Sequence, residues 1–299
     1  MAGIVGTSRV AIVGLGQLGS SLAQKLRQVG AREVFGIARR EESLKQAVEA
    51  GIIDAGSTRA EDILPVVDIT YICLPLQASI EWVLANIEHF RVGSIVTDVG
   101  SVKGTIVQAL REPLFKHGVY FVGGHPMAGS ENSGLDACNP ELYTGAIVFL
   151  TPTPEDEPEA VDLVAEFWRA VGATPLELPA VEHDAAVAHS SHMLHVVSAA
   201  LTDAVLRGED TEAYALASAG GFRDMTRIAA SNVQMWTEIC QHNREATLLA
   251  MDHFEAEIAG FRRALEESDW PAIAARFESA RVARREWQET YGVKRGYTT

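Results

Sequence analysis

The chain has 299 residues, 47% of them hydrophobic and 22% charged, enough apolar surface to offset ordering entropy, which excludes collagen-like, mucin-like and wholly disordered classes. With 40 Asp and Glu against 25 Lys and Arg, the formal charge is -15; nucleic acid is excluded as a default partner, because phosphate binding needs a basic stripe. No apolar run reaches the ~18 residues of a membrane span. Met1–Val13 shows no basic segment ahead of a long apolar core, so no secretory leader is expected. Cys73, Cys138 and Cys240 are odd in number and far apart, which reads as reduced thiols in a cytoplasmic protein.

Short β-branched runs bounded by Gly, Pro or Asp predict strands at Val10–Val13, Glu33–Ile37, Ile69–Leu74, Ser94–Asp98, Tyr120–Gly123, Ala146–Leu150 and Thr174–Leu178. Amphipathic stretches alternate with them, which predicts an α/β fold whose mostly parallel sheet is covered on both faces. Ten of the 11 prolines and nineteen of the 25 glycines lie at or before Pro179. Beyond it the chain is rich in Ala, Glu and Arg with apolar positions at helical spacing, so a boundary is placed between residues 1–179 and 180–299. Helix breaks are expected at Gly208, at Gly220-Gly221 and across Ser268–Pro271.

Gly14-Leu15-Gly16-Gln17-Leu18-Gly19 follows the first strand and opens an amphipathic helix, the context required of a dinucleotide fingerprint. The first Gly permits the turn, the second lets backbone approach a pyrophosphate, and the third lets helix and strand pack; the helix N-terminus supplies N–H donors. Leu74 and Pro75, at the end of the strand Ile69–Leu74, are counted with the cofactor-binding residues. The second strand ends in Ala38-Arg39-Arg40, where an NAD enzyme usually carries the acid that binds the ribose 2′-hydroxyl. Without that acid, and with two guanidiniums able to pair with a 2′-phosphate, NADP is favoured over NAD. The alternative is that both arginines are solvated and pair with Glu41 and Glu42.

In an open parallel sheet, ligands lie beyond the carboxyl ends of the strands. Ser101, in Asp98-Val99-Gly100-Ser101-Val102-Lys103, is therefore a candidate to touch nicotinamide or substrate, or else a helix N-cap. His125, in Gly123-Gly124-His125-Pro126, is expected on a loop facing the cleft, where an imidazole can take a hydroxyl proton as hydride leaves. A histidine cluster follows: His183, His189, Ser190-Ser191-His192-Met193-Leu194-His195. No supporting carboxylate stands at helical spacing and HExxH is absent, so no metal is assigned. An anion pocket accounts better for the cluster, with Arg227 of Gly220-Gly221-Phe222-Arg223-Asp224-Met225-Thr226-Arg227 able to grip a carboxylate bidentately; the alternative for Arg227 is a helix-surface ion pair.

Taken together, the fingerprint, DVGSVK (98–103), GGHPMAGSE (123–131), SHMLH (191–195), GGFRDMTRIA (220–229) and the segment from Met235-Trp236 through Asn243-Arg244 resemble the prephenate/arogenate dehydrogenase family of tyrosine biosynthesis over nearly the whole length. The resemblance implies a Rossmann-type nucleotide domain (1–179), then an all-α substrate and dimerisation domain (180–299), and a homodimer acting on a small molecule. It implies that His125 accepts the proton of the ring hydroxyl, that Ser101 bonds this hydroxyl, and that Arg227 binds the ring carboxylate. It further implies that Ser191, His192 and His195 line the pocket, that Glu131 is a gating or pocket acid, and that Trp236 can reach the neighbouring subunit's site. Met193-Leu194 replaces the family's common Leu-Pro, which predicts a straighter helix. Prephenate, arogenate and an amino-substituted prephenate analogue all remain open as substrates. The chain ends at Thr299, which leaves no room for the regulatory domain or fused mutase of some relatives. Rival readings are a β-hydroxyacid or 6-phosphogluconate-type dehydrogenase and a non-catalytic NADP sensor. The first is disfavoured because residues 180–299 hold a single lysine, Lys294.

Overall fold

The computed structural model describes residues 4–129, 134–207 and 211–292. Eight strands form one sheet: β1 (Arg9–Val13), β2 (Glu33–Ile37), β3 (Ala55–Ser57), β4 (Ile69–Ile72), β5 (Ile95–Asp98), β6 (Tyr120–Pro126), β7 (Ile147–Thr151) and β8 (Thr174–Glu177). Their order is β3-β2-β1-β4-β5-β6-β7-β8, and pairing is parallel from β3 through β6. This is the doubly wound order in which the connection reverses beside β1, opening a crevice at the strands' carboxyl ends. β7 then runs antiparallel to β6, and β8 parallel to β7.

Strands covered on both faces read as unbroken apolar runs, and Val10–Val13 and Ile69–Ile72 are buried throughout. Helices α1 (Gln17–Gln28), α2 (Glu41–Glu49), α3 (Leu76–Ala85), α4 (Gly104–Lys116) and α5 (Pro158–Ala170) supply the layers. One face packs Leu22 and Leu26 of α1 with Val164, Phe167 and Trp168 of α5. The other packs Ile80 and Val83 of α3 with Ile106, Leu110 and Leu114 of α4. Behind the fingerprint, Tyr71 and Tyr143 both meet Trp168 edge to face, at 5.6 and 5.2 Å, and the Tyr143 hydroxyl donates to the Leu18 carbonyl at 2.7 Å.

After β8 the chain is helical: α6 (Ala180–Val187), a π-helical turn at Ala188–His192, α7 (Met193–Leu206), α8 (Thr211–Ala217), α9 (Gly220–Thr226), a 3-10 turn at Arg227–Ala230, α10 (Val233–His242), α11 (Arg244–Glu266) and α12 (Trp270–Trp287). The chain divides into two compact units, Met1–Arg244 and Glu245–Thr299. The compositional boundary near Pro179 thus falls inside the first unit. The reason is polar as well as apolar: Asp184 bonds the start of α4, and Ile239 and Trp236 of α10 join the core over α3 and α4. In the second unit, α11 and α12 form a hairpin held by Phe261 against Phe277 at 5.3 Å and by Glu257 with Arg276 at 3.0 Å. Its turn carries Ser268 at φ 55 and the N-cap Asp269, whose carboxylate accepts from the Ala272 amide at 3.0 Å. No helix among the described residues is long and apolar enough to cross a membrane.

Three expectations change. Ala55–Ser57 pairs with β2 as an edge strand, which no apolar run announces. Gly220-Gly221 opens α9 instead of only breaking a helix, while Gly208 lies outside the described residues. The SHMLH segment is uninterrupted by proline, yet it is not a straight α-helix, because Ala188–His192 widens into a π turn. Such a turn shifts the facing of every residue after it and recurs at functional sites.

Candidate active site

The nucleotide cradle is built by the turn between β1 and α1. Gly14 stands at φ +94, and a Cβ there would come within 2.7 Å of the Cys73 carbonyl and 2.8 Å of the Leu74 side chain. A Cβ on Gly19 would strike the Gly14 carbonyl, whereas one on Gly16 would meet nothing within 4 Å. The open volume thus sits at the glycine expected to face a pyrophosphate, in front of the first-turn amides of Gln17, Leu18 and Gly19. Pro75 caps α3 beside Leu74. This geometry fits a dinucleotide. Beyond β2, Ala38 is half-buried while Arg39 and Arg40 are exposed. The ion pairs of this region, Arg27–Asp54 and Lys45–Glu49, engage neither arginine.

The next stratum lies where β5 and β6 end. Asp98 and Lys103 form an ion pair with side chains 1% and 0% exposed. Asp98 also accepts from the amides of Gly100 at 2.8 Å and Gly124 at 3.0 Å, and Lys103 Nζ donates to the Gly124 carbonyl at 2.8 Å. One buried pair therefore grips the residue before His125 by both its N–H and its C=O, and anchors the loop that carries Ser101. Only glycine fits at 124, because a Cβ would lie 2.7 Å from the Asp98 carbonyl. Burial pulls the Lys103 ammonium below its usual value, against the opposing pull of Asp98. Removing one partner of such a pair leaves an uncompensated charge. Lys103→Met is accordingly expected to lower the unfolding free energy in a urea titration by about 3–5 kcal/mol; an unchanged midpoint would contradict the clamp.

His125 is not on a loop. It lies within β6, opposite Phe149 of β7, and is 9% exposed. β6 outruns β5 after Val122 and continues by pairing with β7, so the catalytic candidate is held by a ladder. Burial, then the fields of His183, Lys103 and His192, hold its imidazole well below the ordinary value. It is neutral at neutral pH. Ser101 is half-buried and is not the cap of α4. That helix begins at Gly104, and its first amides are taken by Asp184: Lys103 N–H and Gly104 N–H donate to the carboxylate at 2.8 Å each.

The helical half meets this centre through α6 and the π turn. His183 Nε2 lies 2.8 Å from His125 Nδ1, and His183 Nδ1 lies 2.8 Å from Asp184 Oδ1. Burial raises the Asp184 carboxyl, but the His183 bond and the Lys103 and Gly104 amides outweigh it and bring it below its usual value. His192 is 1% exposed; Asn243 Nδ2 reaches its Nδ1 at 3.1 Å and the Asp184 carbonyl at 2.8 Å. Trp236 stacks on His195 of the same chain at 3.4 Å and meets His192 edge-on at 6.0 Å. Both histidines are pushed down to about 4, His192 by burial, then His183 and His195, against Asp184; His195 by burial and then by Arg227, against a bond to the Ile228 backbone. They are neutral donors and acceptors, and Arg227, in the turn after α9, is the positive charge whose field reaches His195.

Thus His125 touches His183, Trp236 lies against both His192 and His195, and the fields of His192 on His125 and of Arg227 on His195 relate these groups to one another. Ser191 sits half-buried in the π turn beside it, and His189 points to solvent with Nδ1 on the Ala185 carbonyl at 2.9 Å. Glu131 lies outside the described residues. Sequence reasoning named His183 without giving it a role, and missed Asp184, Asn243, Asp98 and Lys103 as parts of the site. The available signal was the adjacent His183-Asp184 pair near the start of α6, whose remaining residues are Ala, Val and Glu182.

Residues 22–176 match the family model of the prephenate dehydrogenase nucleotide-binding domain, and residues 179–279 that of the prephenate dehydrogenase dimerization domain. The cyclohexadienyl dehydrogenase of Zymomonas mobilis is 31% identical over 280 residues, covering 92% of this chain and 94% of that protein. The crystal structure of prephenate dehydrogenase from Aquifex aeolicus, in complex with hydroxyphenyl propionate and NAD+, superposes with a TM-score of 0.86 at 33% identity, covering 93% of this chain and 98% of that one. Arogenate dehydrogenase from Synechocystis gives a TM-score of 0.82 at 29% identity, over 93% and 99%. An α/β oxidoreductase with a nicotinamide-type nucleotide cradle and a helical C-terminal region, this chain belongs to the prephenate dehydrogenase family.

Proposed function

We propose that the chain catalyses the oxidative decarboxylation of prephenate to 4-hydroxyphenylpyruvate, or of arogenate to tyrosine, with NADP as the electron acceptor. The observation that carries this reading is a neutral, ladder-held imidazole, His125, within the field of the neutral His192, with the neutral His195 stacked on Trp236 and within the field of the Arg227 guanidinium. A nicotinamide bound beyond Gly14–Gly19 would supply the hydride acceptor. His125 takes the proton of the ring hydroxyl as the C4–H bond gives up its hydride, and Ser101 orients that hydroxyl. Arg227 holds the ring carboxylate until its C–C bond breaks and carbon dioxide leaves. The bonding pair enters the ring, which becomes aromatic, and the phenolate oxygen takes a proton back. Aromatisation drives the reaction, so the side chains chiefly position groups and match charge. Ser191, His192, His195, Glu131 and Trp236 complete the pocket. Gly14, Gly16, Gln17, Leu18, Gly19, Leu74, Pro75, Arg39 and Arg40 serve the nucleotide.

Residues 1–179 bear the cofactor and 180–299 the substrate and the contact of a homodimer. Support for the dimer comes from the family's dimerization domain and from exposed apolar side chains such as Leu216, Met225 and Val233. The free cysteines suit a cytoplasmic setting. The test is reduction of NADP and NAD, followed spectrophotometrically, with prephenate and arogenate in parallel; no turnover with either would refute the reading. For the cofactor, Ala38→Asp places a carboxylate where the 2′-phosphate would lie. It is expected to lower kcat/KM for NADP by more than about tenfold, the equivalent of 1.4 kcal/mol, relative to NAD. An unchanged ratio would remove the NADP assignment.

A further inference from the structure

We propose that His183, backed by Asp184, is a positioning residue that fixes His125 in the tautomer whose Nε2 accepts the substrate proton. This rests on the reading of His125 as the proton acceptor. The assignment follows from counting donors. An ionised carboxylate only accepts, so the 2.8 Å contact to Asp184 Oδ1 requires a proton on His183 Nδ1. Carrying that one proton, the His183 ring keeps its lone pair on Nε2. That nitrogen lies 2.8 Å from His125 Nδ1, which must therefore carry the N–H. The lone pair of neutral His125 is left on Nε2.

The arrangement is rigid for stated reasons. His183 is fully buried and Asp184 nearly so, and the Phe149 ring packs against His183 at 5.6 Å. Asp184 is pinned by the two amides that open α4, so the carboxylate cannot swing away without uncapping that helix. The groups facing His125 are His183 from α6, Lys103 from the segment before α4, and His192 from the π turn. The Lys103 charge is matched by Asp98. The Asp184 carboxylate, reached through His183, is thus the negative charge aligned with the imidazolium that forms on proton transfer. Without it, a desolvated histidine beside a lysine would be a poor home for a proton. Asp184 couples this base to the helix behind the Ser101 loop, so one carboxylate aligns elements from both halves of the sequence.

The test compares His183→Phe with His183→Gln. Phenylalanine keeps the ring volume and removes the acceptor. Glutamine can accept from His125 Nδ1 through its oxygen and donate to Asp184 through its nitrogen. Heteronuclear NMR of the ring nitrogens, in protein free of cofactor and substrate, reads the His125 tautomer, while kinetics read kcat and KM. The wild type should show the proton on Nδ1. His183→Phe should lose that signature and about 10²-fold in kcat with little change in KM, and His183→Gln should recover most of both. A proton on Nε2 in the wild type overturns the proposal, and so does a His183→Phe variant with unchanged tautomer and kcat. Should the Phe variant not fold, a Gln variant as impaired as one lacking His125 overturns it. A chain with the expected tautomer but no turnover on either cyclohexadiene refutes the proposed reaction and leaves the tautomer assignment standing.

Discussion

Replacing His125 by Asn is expected to lower kcat by about 10²–10⁴-fold, the usual weight of a general base, and to leave KM nearly unchanged. The asparagine amide can donate to His183 Nε2 in place of the imidazole N–H, so the buried network stays satisfied and the loss reports chemistry. The pH dependence carries the same information. Because burial and neighbouring His183, Lys103 and His192 depress the His125 pKa well below 6.5, the neutral base persists on the acid side of the ordinary histidine range. Activity in kcat/KM should therefore be full at pH 7 and fall only as pH drops through the depressed value. A His125→Asn variant that turns over like the wild type, or an acid limb at or above 6.5 assigned to this group, would refute the role.

Arg227→Ala is expected to act on the other parameter. A bidentate guanidinium–carboxylate contact is made in the ground state as well as in the transition state, so its loss should raise KM by about 10- to 100-fold with a smaller effect on kcat. Arg227→Lys should fall between, because it keeps the charge and loses the fork. A second consequence is local. Burial holds His195 at about 4 and the Arg227 charge adds to the depression, so removing the guanidinium should let the His195 pKa rise towards its ordinary value in an NMR titration. An Arg227→Ala variant with wild-type KM would detach this residue from the substrate.

Much of this fold is legible in the sequence because its signals are local. Gly14, Gly16 and Gly19 follow an apolar strand, and the buried central strands read as continuous β-branched runs. The edge strand Ala55–Ser57 escapes because three small residues carry no period and gain their pairing only from β2. His125 stands out in the sequence as a candidate by its glycine and proline neighbours but not as a strand residue, since the β6–β7 ladder that holds it joins segments more than twenty residues apart. Ser101 looked like a helix cap because a Ser after Gly suits that position, but Asp184, distant in sequence, caps the helix instead. The His125–His183–Asp184 line could not be read at all from spacing. Two of its members are adjacent and the third is 58 residues away, and only tertiary packing makes them a unit.

A crystal structure of the chain with prephenate and the reduced dinucleotide, a pair that cannot react, would place the reacting atoms beside the residues assigned to them. The ring hydroxyl should lie about 2.6–3.2 Å from His125 Nε2, with Nδ1 still on His183 and the ring carboxylate forked on Arg227. A hydroxyl turned away from His125, or a ring carboxylate bound elsewhere than at Arg227, would contradict the account.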